Sequence, residues 1–357
     1  MNILTPVLEL VGSLGLLLYG MKLMSDGVQK SAGEKLQRTL SVVTSNKVVA
    51  ILTGMLITMI IQSSGATTVM VVTFVNAGLI SLAQSAGVIF GANIGTTITA
   101  WIVSIFGFNF KISAFAVPVV GLGYFLSIFK KRKYQNIGEA IMGFGLLFLG
   151  LSGLSSVFTP DQLGWMLNIK GSGLSAIILG FLIGIVVTAL LHSSSAFSAI
   201  VITMAYNGLI SWELAAAMTL GSNVGSTVDS IMASMGTSAN GRRAALIHVM
   251  FNLFGTIVVL CFLKPFLDLV MFITPGQENS NIAIRISMLH TVFNIITTVV
   301  MTPLSGKLVK IAEFLIKDDP SEKKKVFKLE FIEHSGKENV ATYIIQAEKA
   351  IADMTDV

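Results

Sequence analysis

Gln62-Ser-Ser-Gly-Ala-Thr-Thr68 places four hydroxyls and no charge inside a run, Val48 to Phe110, that holds no Asp, Glu, Lys or Arg. Hydrocarbon surrounds a polar nest. The stretch returns 130 residues later as His192-Ser-Ser-Ser-Ala-Phe-Ser198, again within apolar sequence. The same offset relates Gly78-Leu-Ile-Ser81 to Gly208-Leu-Ile-Ser211, and Gly91-Ala-Asn-Ile-Gly-Thr-Thr97 to Gly221-Ser-Asn-Val-Gly-Ser-Thr227. It also aligns Leu14 to Gly20 with Phe144 to Gly150. One unit has been duplicated.

Of 357 residues, 53% are hydrophobic and 12% charged, about half the charged share of a soluble domain. Mean hydropathy is +0.80. Several successive apolar runs of spanning length therefore indicate an all-α polytopic membrane protein rather than one soluble core. The single cysteine, Cys261, excludes an intrachain disulfide. The formal charge of +5 sits in short connections, where it reports orientation in the bilayer and leaves no footprint for nucleic acid. No cleavable signal is expected, because Glu9 interrupts the first residues and no basic stretch precedes the apolar one.

Read in order, Val7 to Met24 makes a first crossing, and residues 25 to 47 make a basic amphipathic segment at the membrane surface. Val48 to Ile61 and Ala66 to Leu79 are each shorter than the roughly 20 residues a crossing needs. They read as the arms of a re-entrant hairpin with the serine nest at its tip, which must face protein or water and not lipid. Leu82 to Phe106 and Ser113 to Phe129 cross next. The second unit repeats the order: Ile137 to Ser155 crosses, Leu174 to Leu191 and Ala196 to Leu209 form a hairpin, and Ala215 to Met235 and Ala244 to Leu263 cross. Lys264 to Asn281 reads as a polar loop before a last crossing, Ile286 to Pro303. The expected domains are repeat 1 (1–133), repeat 2 (134–264), an extracellular loop with the final transmembrane helix (265–306), and a cytoplasmic helical tail (307–357).

That arrangement has about seven full crossings. With Lys130 to Lys133 on the cytoplasmic side, it puts Arg242-Arg243 and the lysine-rich tail there too, and the N-terminus outside. Three crossings and one hairpin per unit invert the second repeat, a layout of secondary transporters whose site lies near the midplane. The tail holds nine Lys and ten acidic residues from Lys307 on. It is expected to dock on itself, on a second copy or on a continuation of the chain, or to recruit a soluble partner.

The site must be built from hydroxyls, amides and helix N-termini. Ser63, Ser64, Thr67 and Thr68 open the second arm of hairpin one; Ser193, Ser194, Ser195 and Ser198 do the same in hairpin two. Unpaired N–H groups beside such hydroxyls suit a tetrahedral oxyanion. Carbonyls at the helix breaks, together with Gln62, Asn93, Thr96, Thr97, Asn223, Ser226 and Thr227, offer neutral oxygens for Na⁺, which would offset the anion's charge where desolvation is expensive. A lone Ser-Ser pair in a membrane helix usually bonds back to its own carbonyls; repetition at a fixed offset favours a site. Gly91, Gly95, Gly221 and Gly225 read as points of close backbone approach. Asp229, the only charge from Leu214 to Gly241, is a candidate for Na⁺ or a proton, with a helix-to-helix hydrogen bond as the plain alternative. His192, in the place of Gln62, joins the cation candidates. Arg243 to Asn252 and Arg285 to Asn294 repeat an arginine, histidine and asparagine spacing that favours helix pinning. No metalloenzyme spacing, phosphate loop of nucleotide hydrolases or nucleophile-base pair is present, so an enzyme is not expected.

These residues resemble the bacterial type II sodium-phosphate cotransporter family. Its duplicated glutamine-serine-serine-serine signature corresponds to Gln62-Ser63-Ser64 and Ser193-Ser194-Ser195, and its glycine-asparagine-glycine-threonine elements to Gly91 through Thr97 and Gly221 through Thr227. Its histidine-phenylalanine-asparagine helices correspond to His248 through Asn252 and His290 through Asn294. The likeness covers about residues 5 to 310. It implies Na⁺-driven symport of inorganic phosphate bound by the two serine-rich hairpins, with Na⁺ as coupling ion and no other cofactor, in a bacterial inner membrane. The tail resembles the start of a PhoU-like helical domain. Export, another small oxyanion, a homo-oligomer and a phosphate-responsive scaffold stay open. Two departures stand out: Gly65 replaces the third serine, and His192 replaces a glutamine.

Overall fold

The computed structural model describes residues 4–41, 46–109, 115–159, 173–276 and 281–318, and the elements among them are helical. In repeat 1 they are α1 (Leu4–Ser41), α2 (Lys47–Ile61), α3 (Ser64–Asn76), α4 (Leu82–Gly95), α5 (Thr97–Ile102) with a π-helical extension Val103–Asn109, and α6 (Ala116–Ser127). In repeat 2 they are α7 (Arg132–Val157), α8 (Leu174–Leu191), α9 (Ser194–Tyr206), α10 (Trp212–Gly225), α11 (Thr227–Ser234) and α12 (Ala239–Cys261). Then come α13 (Leu263–Ile273) and α14 (Ile282–Leu315). Both ends of α3 and of α4 recur 130 residues later in α9 and α10.

Local chemistry explains that match. Ser63 caps α3 by accepting from the Ala66 amide, and Ser193 caps α9 by accepting from Ala196, both at 3.1 Å. Gln62 (φ 61°) and His192 (φ 50°) end the preceding helices in the left-handed region, uncommon for residues with a side chain. Gly78 (φ 71°) and Gly208 (φ 74°) turn the chain after α3 and α9. Ser81 and Ser211 then cap α4 and α10 at 3.2 Å.

The glycines set the packing. A Cβ on Gly91 of α4 would strike the Ile51 carbonyl of α2, and one on Gly221 of α10 would strike the Phe181 carbonyl of α8. Gly95 and Gly225 come a little less close, with Met55 O and Ile185 O each 2.5 Å from the place a Cβ would take. Helix α1 meets its own counterpart α7: Gly20 abuts Leu147, Gly27 abuts Ala140, and Gly150 abuts Leu17. Numbers rise along one helix as they fall along the other, so the pair runs antiparallel. The contacts also exchange: Gly20 on Leu147 becomes Leu17 on Gly150 under the 130-residue shift, as a two-fold relation requires.

Six described helical segments are long and apolar enough to cross a membrane: Thr5–Ala32, Leu82–Phe108, Arg132–Val157, Leu174–Leu191, Ala239–Cys261 and Ile282–Leu315. Of the 18-residue apolar stretch within each, 72% is buried in Leu82–Phe108 and 17% in Leu174–Leu191, which puts the first at the centre and the second at the lipid-facing edge of an all-α polytopic membrane protein. Of the seven crossings read from sequence, five match these segments. The described part of the stretch 113–129 holds the 12-residue α6, and 215–235 is broken at Ser226 between α10 and α11. Leu174–Leu191, read as a hairpin arm, is long enough to span.

The basic segment after residue 24 continues the first helix, since α1 runs unbroken to Ser41. Two further expectations need correction. The polar loop after Leu263 contains α13, which buries Leu263, Phe266, Leu267 and Val270 while Lys264 and Asp268 pair outward at 2.9 Å. The last helix also runs past residue 306, to Leu315. The tail from 319 on, with its PhoU-like reading, lies outside the described residues.

Candidate functional site

The capped ends of α3 and α9 open on one cavity of about 390 Å³. Gln62, Ser63 and Ser64 line it from hairpin one, His192, Ser193, Ser194 and Ser195 from hairpin two, and Ser226 and Asp229 from the break between α10 and α11. Each helix start presents amides with no carbonyl one turn back to receive them, and the two macrodipoles put their positive ends at the same space. The cavity is therefore rich in donors.

The remaining oxyanion candidates lie behind this wall. Thr67 is fully buried, receives a hydrogen bond from Thr58 (2.9 Å) and donates to the Ser63 carbonyl (3.0 Å). Thr68, also fully buried, donates to the Gly65 carbonyl at 3.0 Å. Both hold the nest's backbone from within. Ser198 is buried and its Oγ has no partner, a condition that asks for an explanation in any native structure.

The cation candidates divide in the same way. Gln62, His192, Ser226 and Asp229 line the cavity; Asn93, Thr96, Thr97, Asn223 and Thr227 are buried beside it. Ser64 Oγ donates to Thr96 Oγ1 at 3.4 Å, linking the first nest to the break between α4 and α5. Thr97 and Thr227, the first residues of α5 and α11, each donate back across the break, to the carbonyls of Ile94 in α4 (2.8 Å) and Val224 in α10 (2.7 Å). Asn93 Nδ2 donates to Ile89 O at 2.8 Å. Asn223 Oδ1 accepts from His290 Nε2 at 2.9 Å, and Asn223 Nδ2 is buried without a partner.

Among the contacts that join the halves, two at the nests are equivalents. Ser195 Oγ donates to Thr99 Oγ1 at 3.3 Å. Under the 130-residue shift this pair becomes Gly65 and Asp229, where Asp229 Oδ2 lies 2.5 Å from the place a Cβ on Gly65 would take. Within each half a second pair corresponds as well. Thr99 Oγ1 donates to Gln62 Oε1 at 2.9 Å in repeat 1, and the His192 imidazole donates from Nδ1 to Asp229 Oδ1 at 2.7 Å in repeat 2. A second cavity borders Gly65, His192 and Asp229 from the other side.

Sequence reasoning missed the fourth wall. Lys22, Ser25, Asp26 and Gln29 of α1 line the main cavity at helical spacing, and Ser25 Oγ donates to the Ile61 carbonyl at the end of α2 (2.7 Å). Their i, i+3, i+4, i+7 pattern was the available signal. The arginine and histidine motifs do pin helices. Arg243 donates from Nε and Nη2 to the Ile316 carbonyl (3.0 and 2.8 Å) and pairs with Asp318 (2.8 Å). His248 Nδ1 meets Ser230 Oγ at 2.9 Å.

A family model described as Na⁺/Pi-cotransporter matches residues 16–156 and 166–303. The uncharacterized protein YqeW of Bacillus subtilis (strain 168) is 29% identical over 304 residues, 84% of this chain and 94% of its own length. YjbB of Escherichia coli (strain K12), named as a candidate inorganic phosphate export protein, is 29% identical over 315 residues. The match covers 88% of this chain and 56% of YjbB, so the chain spans little more than half of that relative. Sodium-dependent phosphate transport protein 2B of Rattus norvegicus is 33% identical over 131 residues, 36% of this chain and 18% of its own. No solved structure matches.

Proposed function

The chain belongs to the Na⁺/Pi-cotransporter family, a family of multi-pass membrane transporters and not of enzymes, and we propose that it carries inorganic phosphate with Na⁺ by alternating access. One observation carries the reading: two serine-capped helix N-termini, equivalent under a 130-residue shift, open on a single cavity. A tetrahedral oxyanion there meets Ser63 and Ser64 from one side and Ser193, Ser194 and Ser195 from the other, with Thr67, Thr68 and Ser198 behind them.

Na⁺ offsets the anion's charge. Its ligands are drawn from Gln62, His192, Ser226 and Asp229 at the cavity and Asn93, Thr96, Thr97, Asn223 and Thr227 behind it. The two repeats cross the membrane in opposite senses, a reading that the antiparallel packing of α1 on α7 supports. We place the protein in a bacterial inner membrane, N-terminus outside and C-terminus cytoplasmic.

In sealed proteoliposomes of the full chain, an inward Na⁺ gradient should accelerate uptake of radiolabelled phosphate over a K⁺ gradient of equal size. Equal rates would remove Na⁺ coupling. Export is the second reading, favoured by the name of YjbB. Phosphate-loaded vesicles in which efflux is driven as well without Na⁺ as with it would support an exporter of another coupling.

A further inference from the structure

Gly65, His192 and Asp229 form a cluster at the cavity where the two halves meet. We propose that Asp229 makes the cavity select an oxyanion that still bears a proton, such as hydrogen phosphate, over one of like shape and charge that does not, such as sulfate. The inference rests on the phosphate reading above and adds a selecting residue to it.

The geometry is that of an exchange between the halves. Ser195 puts a hydroxyl against Thr99. The equivalent place opposite Asp229 holds Gly65, and the carboxylate oxygen Oδ2 occupies the space a side chain there would need. Restoring the missing serine and keeping the carboxylate in place are mutually exclusive. Hairpin one has therefore given up a donor, and an acceptor from the other half stands in its position.

The carboxylate is also oriented. His192 donates to Oδ1 at 2.7 Å, which turns Oδ2 toward Gly65 at the rim of the cavity that both residues line. The polar side chains of the two nests, hydroxyls with the Gln62 amide and the His192 imidazole, can all donate. An ionised carboxylate only accepts. It takes a hydrogen bond from a P–OH and repels a bare oxygen, so an anion without a proton leaves Oδ2 unpaired and facing like charge. Sites that hydrogen-bond a substrate hydroxyl reject analogues lacking it by large factors. Lys22 and Asp26 of α1 are the other charged side chains lining this cavity.

The test uses the full chain in proteoliposomes at neutral pH, with radiolabelled phosphate uptake competed by arsenate and by sulfate. In the native chain arsenate should compete and sulfate should be on the order of 100-fold weaker. Asp229→Asn, whose amide donates as well as accepts, should bring sulfate to within roughly tenfold of phosphate. Gly65→Ala displaces the carboxylate without altering it and should shift the ratio the same way, which guards against a fault peculiar to the first variant. Asp268→Asn, at an exposed carboxylate of α13 that does not line this cavity, should leave the ratio as it was. An unchanged phosphate-to-sulfate ratio in both folded variants would overturn the inference and leave the transport reading standing. So would a change confined to Na⁺ activation, which would assign the carboxylate to the cation alone. A native chain that moves no phosphate would remove the transport reading, and this inference with it.

Discussion

The two hairpins share a backbone and differ in charge. Hairpin one closes on Gln62 and Thr99, both neutral; hairpin two closes on His192 and Asp229. Across the interface, a hydroxyl pair on one side corresponds to a glycine and a carboxylate on the other. Helix α1 adds to the asymmetry. Its Lys22 and Asp26 line the cavity, while the equivalent positions of α7 are Ser152 and Ser156. The comparison separates two kinds of constraint. Caps, left-handed hinges and glycine contacts hold the frame and are duplicated; ionisable groups set what the frame binds and are not.

Three measurements can break or sharpen that separation. The largest effect belongs to the frame. Gly91→Ala and Gly221→Ala each drive a methyl into a backbone carbonyl, and overpacking of this kind costs about 1–3 kcal/mol or more. The thermal midpoints of both variants in detergent should fall by similar amounts, and a large fall in only one would show that the halves are not mechanically equivalent.

Next come the nests. Ser64→Ala and Ser194→Ala remove equivalent hydroxyls and keep the amides, so each should raise the phosphate KM by roughly five- to 150-fold, about 1–3 kcal/mol. If neither variant alters KM in folded protein, the shared site is wrong at its centre. The smallest effect is expected on α1. Lys22 is solvent-exposed, and losing its charge in Lys22→Ala should raise KM by only roughly two- to fivefold. Ser152→Ala, at the equivalent place, should do nothing; a matching rise there would mean that α7 also faces the anion.

Much of this was legible because the duplication is a long-range signal carried in one chain. The serine nests, their caps and the glycine contacts each appear twice, and each occurrence fixes the reading of the other. What lacks a copy was harder to read. Helix α13 has no counterpart, and Pro265, Lys264 and Asp268 gave it the composition of a loop although its apolar residues recur on one face. Lys22 fell near the end of the first expected crossing and Asp26 just beyond it, and nothing local says that α1 passes the cavity. Thr67 and Thr68 could have been placed from sequence, because threonine in a helix tends to bond to a carbonyl one turn back.

The exchange between Gly65 and Asp229 also bears on why such a protein is one chain. Had the unit remained a separate polypeptide pairing with itself, any substitution would have entered both halves at once. A carboxylate at the interface would then have come as two, each facing a glycine and each missing a serine partner. Fusion lets one allele touch one half. The charge can enter at residue 229 while residue 99 stays a threonine, and the serine can be lost at 65 while 195 keeps it. The two changes then depend on each other, so that each alters the fitness of the other: epistasis written across a symmetry axis, and open only to a gene that has ceased to be symmetric.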